Sequence, residues 1–121
     1  MTRRASRLTP WLLALAGYVS LTLLWTWPLP LRLATVVPHD TGDPLLTAWI
    51  LAWNAHHVPL TTGWWNAPMF WPMTGTLALS EHMLGISLVA SPMQWIGADP
   101  VAAYNVIFLL SFPLCAIAAP E

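Results

Sequence analysis

The sequence contains no lysine and little charge of any kind: four Arg, five Asp or Glu, 7% charged residues and a formal net charge of −1. A water-soluble domain carries roughly 25% charged residues to keep its surface hydrated, so a soluble globular class is excluded. Nucleic-acid binding is excluded by the same shortage. Phosphates are neutralised by a basic stripe, and three of the four Arg (Arg3, Arg4 and Arg7) crowd the first seven residues. Cysteine is nearly absent, and Cys115, alone in an apolar run, reads as a small buried hydrophobe with no internal disulfide partner. Phosphate loops, nucleophile elbows and zinc motifs are missing as well.

What the sequence has in quantity is apolar and aromatic surface: 57% hydrophobic residues, nine Trp and twelve Pro. High hydrophobicity excludes intrinsic disorder. Many Trp with few charges suggest much chain lying at a membrane interface, where one ring edge meets lipid and the other water. The expected fold class is therefore an all-α membrane protein, in which two transmembrane helices flank an outer region with interfacial helices.

The uncharged stretch from Leu8 to Leu31 predicts a transmembrane helix over 9–27, since about 20 residues cross the hydrocarbon. Trp11 at one end and Trp25 and Trp27 at the other resemble two aromatic belts. The leading Arg residues place the N-terminus in the cytoplasm by the positive-inside rule. A cleaved signal peptide is the competing reading, but its apolar region runs only about 7 to 15 residues and ends at a small-residue site that is not evident here.

Pro28, Pro30 and Pro38 make 28–43 an extended outer loop. Asp43-Pro44 then predicts an interfacial helix over 44–58, with Asp43 as its N-cap and Pro44 in the first turn. Leu45, Leu46, Trp49, Ile50 and Trp53 fall on one arc of it, and Thr47, Asn54 and several Ala lie opposite. It is too short to span, so it is expected to lie on the outer membrane surface. Residues 59–79 read as an ordered aromatic loop on lipid or protein. The run over 80–97 reads as an interfacial or broken helix, interrupted by Pro92 and Gln94. Asp99-Pro100 repeats the cap signal and opens a second span over 100–119. Asn105 and Pro113 within it predict helix contacts and a kink.

With charge so scarce, the polar residues of the outer region form a short list. Asp40 and Asp43, three positions apart, could hold one divalent cation or share a proton, and the spacing equally suits a solvated loop acid and a helix cap. His56 and His57 end a helix, where capping of its last carbonyls competes with metal binding. Glu81 and His82 precede the next apolar run and could anchor at headgroup depth or join a site.

In order, a Trp-bounded first helix, PHDTGDPLLTAWILAW, WWNAPMFWP, TLALSEHMLG and DPVAAYNVIFLLS resemble the N-terminal part of bacterial integral-membrane glycosyltransferases of the GT-C type. That superfamily includes polyprenyl-phosphate-sugar-dependent mannosyltransferases and lipid A aminoarabinose transferases. The resemblance implies that Asp43 matches the acid of the first outer loop, with Asp40 beside it, and that Glu81 and His82 lie where a second loop approaches the donor. It further implies a chain that is the front part of a longer one. The implied activity is transfer of a sugar from a polyprenyl-phosphate-linked donor to an acceptor hydroxyl at the outer face of the inner membrane, with the 121 residues inactive alone. The implied partners are the lipid bilayer and that donor, and a divalent cation is the one cofactor the paired acids could bind. A non-catalytic membrane anchor or assembly subunit, and a transporter fragment with Pro92 in a pathway-lining helix, are the competing readings.

Overall fold

The computed structural model describes residues 2–119, with side chains from residue 9 onward. The orienting side chains of Arg3, Arg4 and Arg7, and the C-terminal Glu121 whose side of the membrane the topology would set, lie outside the described residues. Among the described residues the chain is all-helical, with five α-helices and no strand: α1 (Thr2–Trp25), α2 (Asp43–His56), α3 (Thr62–Trp65), α4 (Leu84–Trp95) and α5 (Pro100–Ala118). Short 3₁₀ turns at Leu29–Leu31 and Thr76–Leu79 punctuate the connections.

The long helices α1 and α5 pair antiparallel. Trp11 and Ala14 of α1 share a cavity with Ala116 and Ile117 of α5, while Trp25 lines another with Phe108 and Phe112 at the opposite end. Among the described residues one helix, Pro100–Ala118, is long and apolar enough to cross a membrane; the apolar part of α1, Thr9–Trp25, is shorter than that measure requires. Asp99 caps α5 through a 2.8 Å bond from the Val101 amide, and Pro100 occupies the first turn, where no amide is needed. Pro113 lies within α5 and Pro92 within α4, each inside a continuous helix, so of the two readings of 80–97, interfacial or broken, the helix present is unbroken at Pro92.

Helices α2 and α4 pack on each other and on α5. Leu51, Ala90 and Ala103, one from each helix, form a buried cluster. The apolar arc of α2 is divided: Ile50 is buried together with Ala48, Leu51 and Asn54, whereas Leu45, Leu46 and Trp49 are exposed. Small residues let helix backbones approach, and Asn54 finds hydrogen-bond partners only inside, so Ile50 and Leu51 pack within while Leu45, Leu46 and Trp49 are left outside.

Residues 59–79 are less irregular than their prolines suggest. They contain α3 and a 3₁₀ turn, packed together so that Trp64, Ala67 and Leu77 are buried with Ile50 of α2. Asn54 organises this junction. Its Oδ1 accepts from Trp64 Nε1 at 2.7 Å, and its Nδ2 donates to the His82 carbonyl at 2.7 Å and to Ser87 Oγ at 2.6 Å.

The loop between α1 and α2, the outer loop of the sequence expectation, is tied to α5 by Asn105, which is fully buried. Its Nδ2 donates to the carbonyls of Leu33 and Val36 at 2.7 and 2.6 Å. The contact expected of Asn105 is thus made with loop backbone, because the proline-rich segment has carbonyls with no helical partner.

Candidate acidic site

The loop pinned by Asn105 leads directly into the acids. Asp40 folds back on its own turn: Oδ1 accepts the Gly42 amide at 2.8 Å, and Oδ2 lies 2.8 Å from His39 Nδ1. A side chain at Gly42 would place its Cβ 3.2 Å from Asp40 Oδ1, so this close turn favours glycine. The Gly42 amide bond, and after it the His39 hydrogen bond, hold the Asp40 carboxyl below its ordinary 3.8.

Asp43 is placed differently from the sequence expectation. Gly42 occupies the N-cap position without a side-chain bond, and Asp43 is the first residue of α2. Asp43 stands inside the helix and not at its N-cap, so its carboxylate caps nothing and has no hydrogen-bond partner among the described residues. Its place in the first turn of α2 still suits a negative charge, because the free amides there carry partial positive charge.

Both carboxylates line one cavity of about 270 Å³, with Thr47 of α2 and Tyr104 and Phe108 of α5. Tyr104 was not distinguishable by sequence from its neighbours in an apolar run. The one available signal was position: it lies about one turn inside a helix whose cap places its start beside the outer region.

Glu81 and His82 do not join this cavity. Glu81 is exposed and has no partner among the described residues. His82 Nδ1 accepts the Leu84 amide at 3.2 Å, and its ring lies against Trp64 and Trp65, with centroids 5.9 and 6.2 Å away. It is thereby occupied in starting α4. Among the described residues no group of three or more His, Cys, Asp or Glu converges as a cation cage, so a divalent ion at Asp40 and Asp43 would need ligands from water or substrate.

A larger cavity of about 580 Å³ lies between the C-terminal end of α2 and α4, walled by Leu88, Trp95, His56 and His57 among others. No carboxylate lines it. The two histidines direct Nδ1 at the carbonyls of Ala52 and Trp53 at 2.7 and 3.0 Å, so both act on the last carbonyls of α2. Volume favours this cavity, but chemistry favours the smaller one, where a carboxylate stands with unused acceptor positions.

No known family, curated protein or solved structure matches the chain. The site is read from its own geometry.

Proposed function

We propose that this chain carries the acidic site of a glycosyltransferase of the bacterial inner membrane, which moves a sugar from a polyprenyl-phosphate donor to an acceptor hydroxyl at the outer face. In this reading α1 and α5 both cross the bilayer, the N-terminus is cytoplasmic, and α2 to α4 lie at the outer surface. The observation that supports it best is the Asp43 carboxylate, free of capping duty and set in a cavity beside Tyr104 and Asp40. Asp43 takes the proton of the acceptor hydroxyl as that oxygen attacks the anomeric carbon. The bond from that carbon to the phosphate oxygen breaks, and the phosphate leaves with the electron pair. Asp43 suits the base role better than Asp40, whose two oxygens are engaged and whose basicity is lowered by the Gly42 amide.

The donor phosphate requires positive charge for its departure. Arg32 is the one arginine among the residues whose side chains are described, and there is no lysine, so most of that charge belongs to groups outside this segment. Glu81 and His82 keep the role of second-loop contacts to the donor. The 121 residues alone are expected to transfer no sugar.

The test is sugar transfer from a labelled polyprenyl-phosphate sugar in membranes carrying the full reading frame. Asp43→Asn should lower the rate by about 10²- to 10⁴-fold, the usual loss for a general base. Asp99→Asn, which keeps its cap, should leave it unchanged. Full activity in Asp43→Asn removes Asp43 from the base role. A non-catalytic anchor would use the same exposed Trp residues but would leave the Asp43 carboxylate without work, and an absence of transfer by the whole protein would favour it.

A further inference from the structure

The acidic cavity is the outer end of a longer groove. It shares Pro38 and Phe108 with a second cavity of about 360 Å³. The second shares Trp25, Thr26 and Phe112 with a third of about 460 Å³, which reaches Tyr18 and Leu21 of α1. Along α5 the floor is an aromatic row at four-residue spacing, Tyr104, Phe108 and Phe112, whose neighbouring centroids lie 6.3 and 5.1 Å apart. The row covers about 12 Å of helix axis. One leaflet of hydrocarbon is about 15 Å deep, so the groove matches the outer half of a bilayer.

Polarity changes sharply along it. The two inner cavities contain no charged side chain. Their Thr22 and Thr26 hydroxyls are already spent on the carbonyls of Tyr18 and Thr22, at 2.8 and 2.7 Å. The wall is open to the side, with Leu21, Trp25 and Phe112 all exposed, so a ligand reaches it laterally. A channel of this depth that is mainly apolar, with the Tyr18 hydroxyl at its inner end and charged groups only at its outer end, has the polarity profile of a single lipid molecule.

The outer end also discriminates among head groups. Two carboxylates and no Arg or Lys repel an anionic head. Acceptor and hydroxyl positions are spread over three elements, on Asp40 of the loop, Asp43 and Thr47 of α2 and Tyr104 of α5. Several separated hydroxyls match that spread better than one ammonium, and His39 adds a donor that competes with a cation.

The geometry points to a binding groove for a membrane lipid with an uncharged polyhydroxyl head group, its chain lying along Phe108 and Phe112 and its hydroxyls at Asp43 and Tyr104. The inference rests on the proposed transfer only in naming this lipid as the sugar acceptor; the binding itself stands apart from catalysis.

The full chain in phosphatidylcholine nanodiscs should be photolabelled with lipids bearing a diazirine in the acyl chain and one of three heads: diglucosyl, phosphoglycerol or trimethylammonium. Mass spectrometry then locates the adducts. The diglucosyl lipid should label residues 18–26 and 108–112 about fivefold more than either charged lipid, a preference of about 1 kcal/mol. Leu21→Trp, which fills the open wall, should cut that labelling severalfold. Asp43→Asn, outside the apolar part of the groove, should keep the labelling but lose the preference, so the inference stays testable if Leu21→Trp fails to fold. Equal labelling by all three lipids, a preference for a charged head, or adducts spread over the whole apolar surface would overturn it. Sugar transfer by the whole protein without selective labelling defeats the groove alone. Selective labelling without transfer defeats the proposed function and leaves the groove.

Discussion

The antiparallel pair α1 and α5 and the layer of α2 to α4, the outer layer of the proposed topology, are built on different principles. From residue 9 to Trp25, Thr22 is the sole buried residue of α1, and only 17% of the apolar window in α5 is buried. The outer layer instead closes around Trp64, Ile50, Leu51 and Leu77, and it seats the buried amide Asn54 on three partners. The first region presents hydrocarbon to its surroundings and needs lipid or protein around it; the second makes an interior, shared at Ala103 with α5. A site that depends on exact placement of a carboxylate belongs with the second kind of region, and Asp43 is there, at the head of α2.

The largest effect that would sharpen this contrast is in the outer layer. Trp64→Ala removes a side chain with 0% exposure and should cost about 3–5 kcal/mol of unfolding free energy in detergent micelles, measured by denaturant titration. A cost near zero would mean that the outer layer is not a packed unit. Leu110→Arg probes the other region. Leu110 is exposed near the middle of α5, and a central arginine should disfavour membrane insertion by about 2.5–3.5 kcal/mol, read from the inserted fraction in a glycosylation-mapping assay. Unchanged insertion would end the assignment of α5 to the bilayer. Asn54→Ala comes next. It leaves Trp64 Nε1 without its acceptor and should cost about 1–3 kcal/mol, with increased amide exchange around residues 62–67 and 82–87.

The smallest effect concerns the acidic turn. The fold lowers the Asp40 carboxyl below 3.8, so it favours the charged form. That contribution is complete above 3.8 and is lost as pH falls through the lower folded value. The carboxyl carbon of Asp40 should therefore titrate below 3.8 by NMR, and His39→Gln should raise the midpoint only in part, because the Gly42 amide is the larger cause. A midpoint at or above 3.8 would remove the turn as an organiser of the site.

Much of the helical layout could be read from local chemistry. Asp99-Pro100 marks a helix start because a carboxylate accepts free first-turn amides and proline has none to lose, and that bond is present at Val101. Asp43-Pro44 carries the same two letters but a different outcome, since the helix begins one residue earlier, with Gly42 at the N-cap. Hydrophobic periodicity on α2 marked an apolar arc, of which Ile50 is buried while Leu45, Leu46 and Trp49 are exposed; Ala48, Leu51 and Asn54, off that arc, are buried as well. Periodicity identifies two faces; it does not say which one meets a neighbour when the surroundings are themselves apolar.

Composition and local pattern by themselves determined that this chain is helical, apolar and short of charge, because those properties follow from residue types and near-neighbour spacing. Tertiary structure alone decided that Asp40 and Asp43 meet Tyr104, that Glu81 and His82 do not share their cavity, and that Asn105 holds the outer loop. Those contacts join residues up to 72 positions apart, and they depend on how helices pack, which no local pattern records.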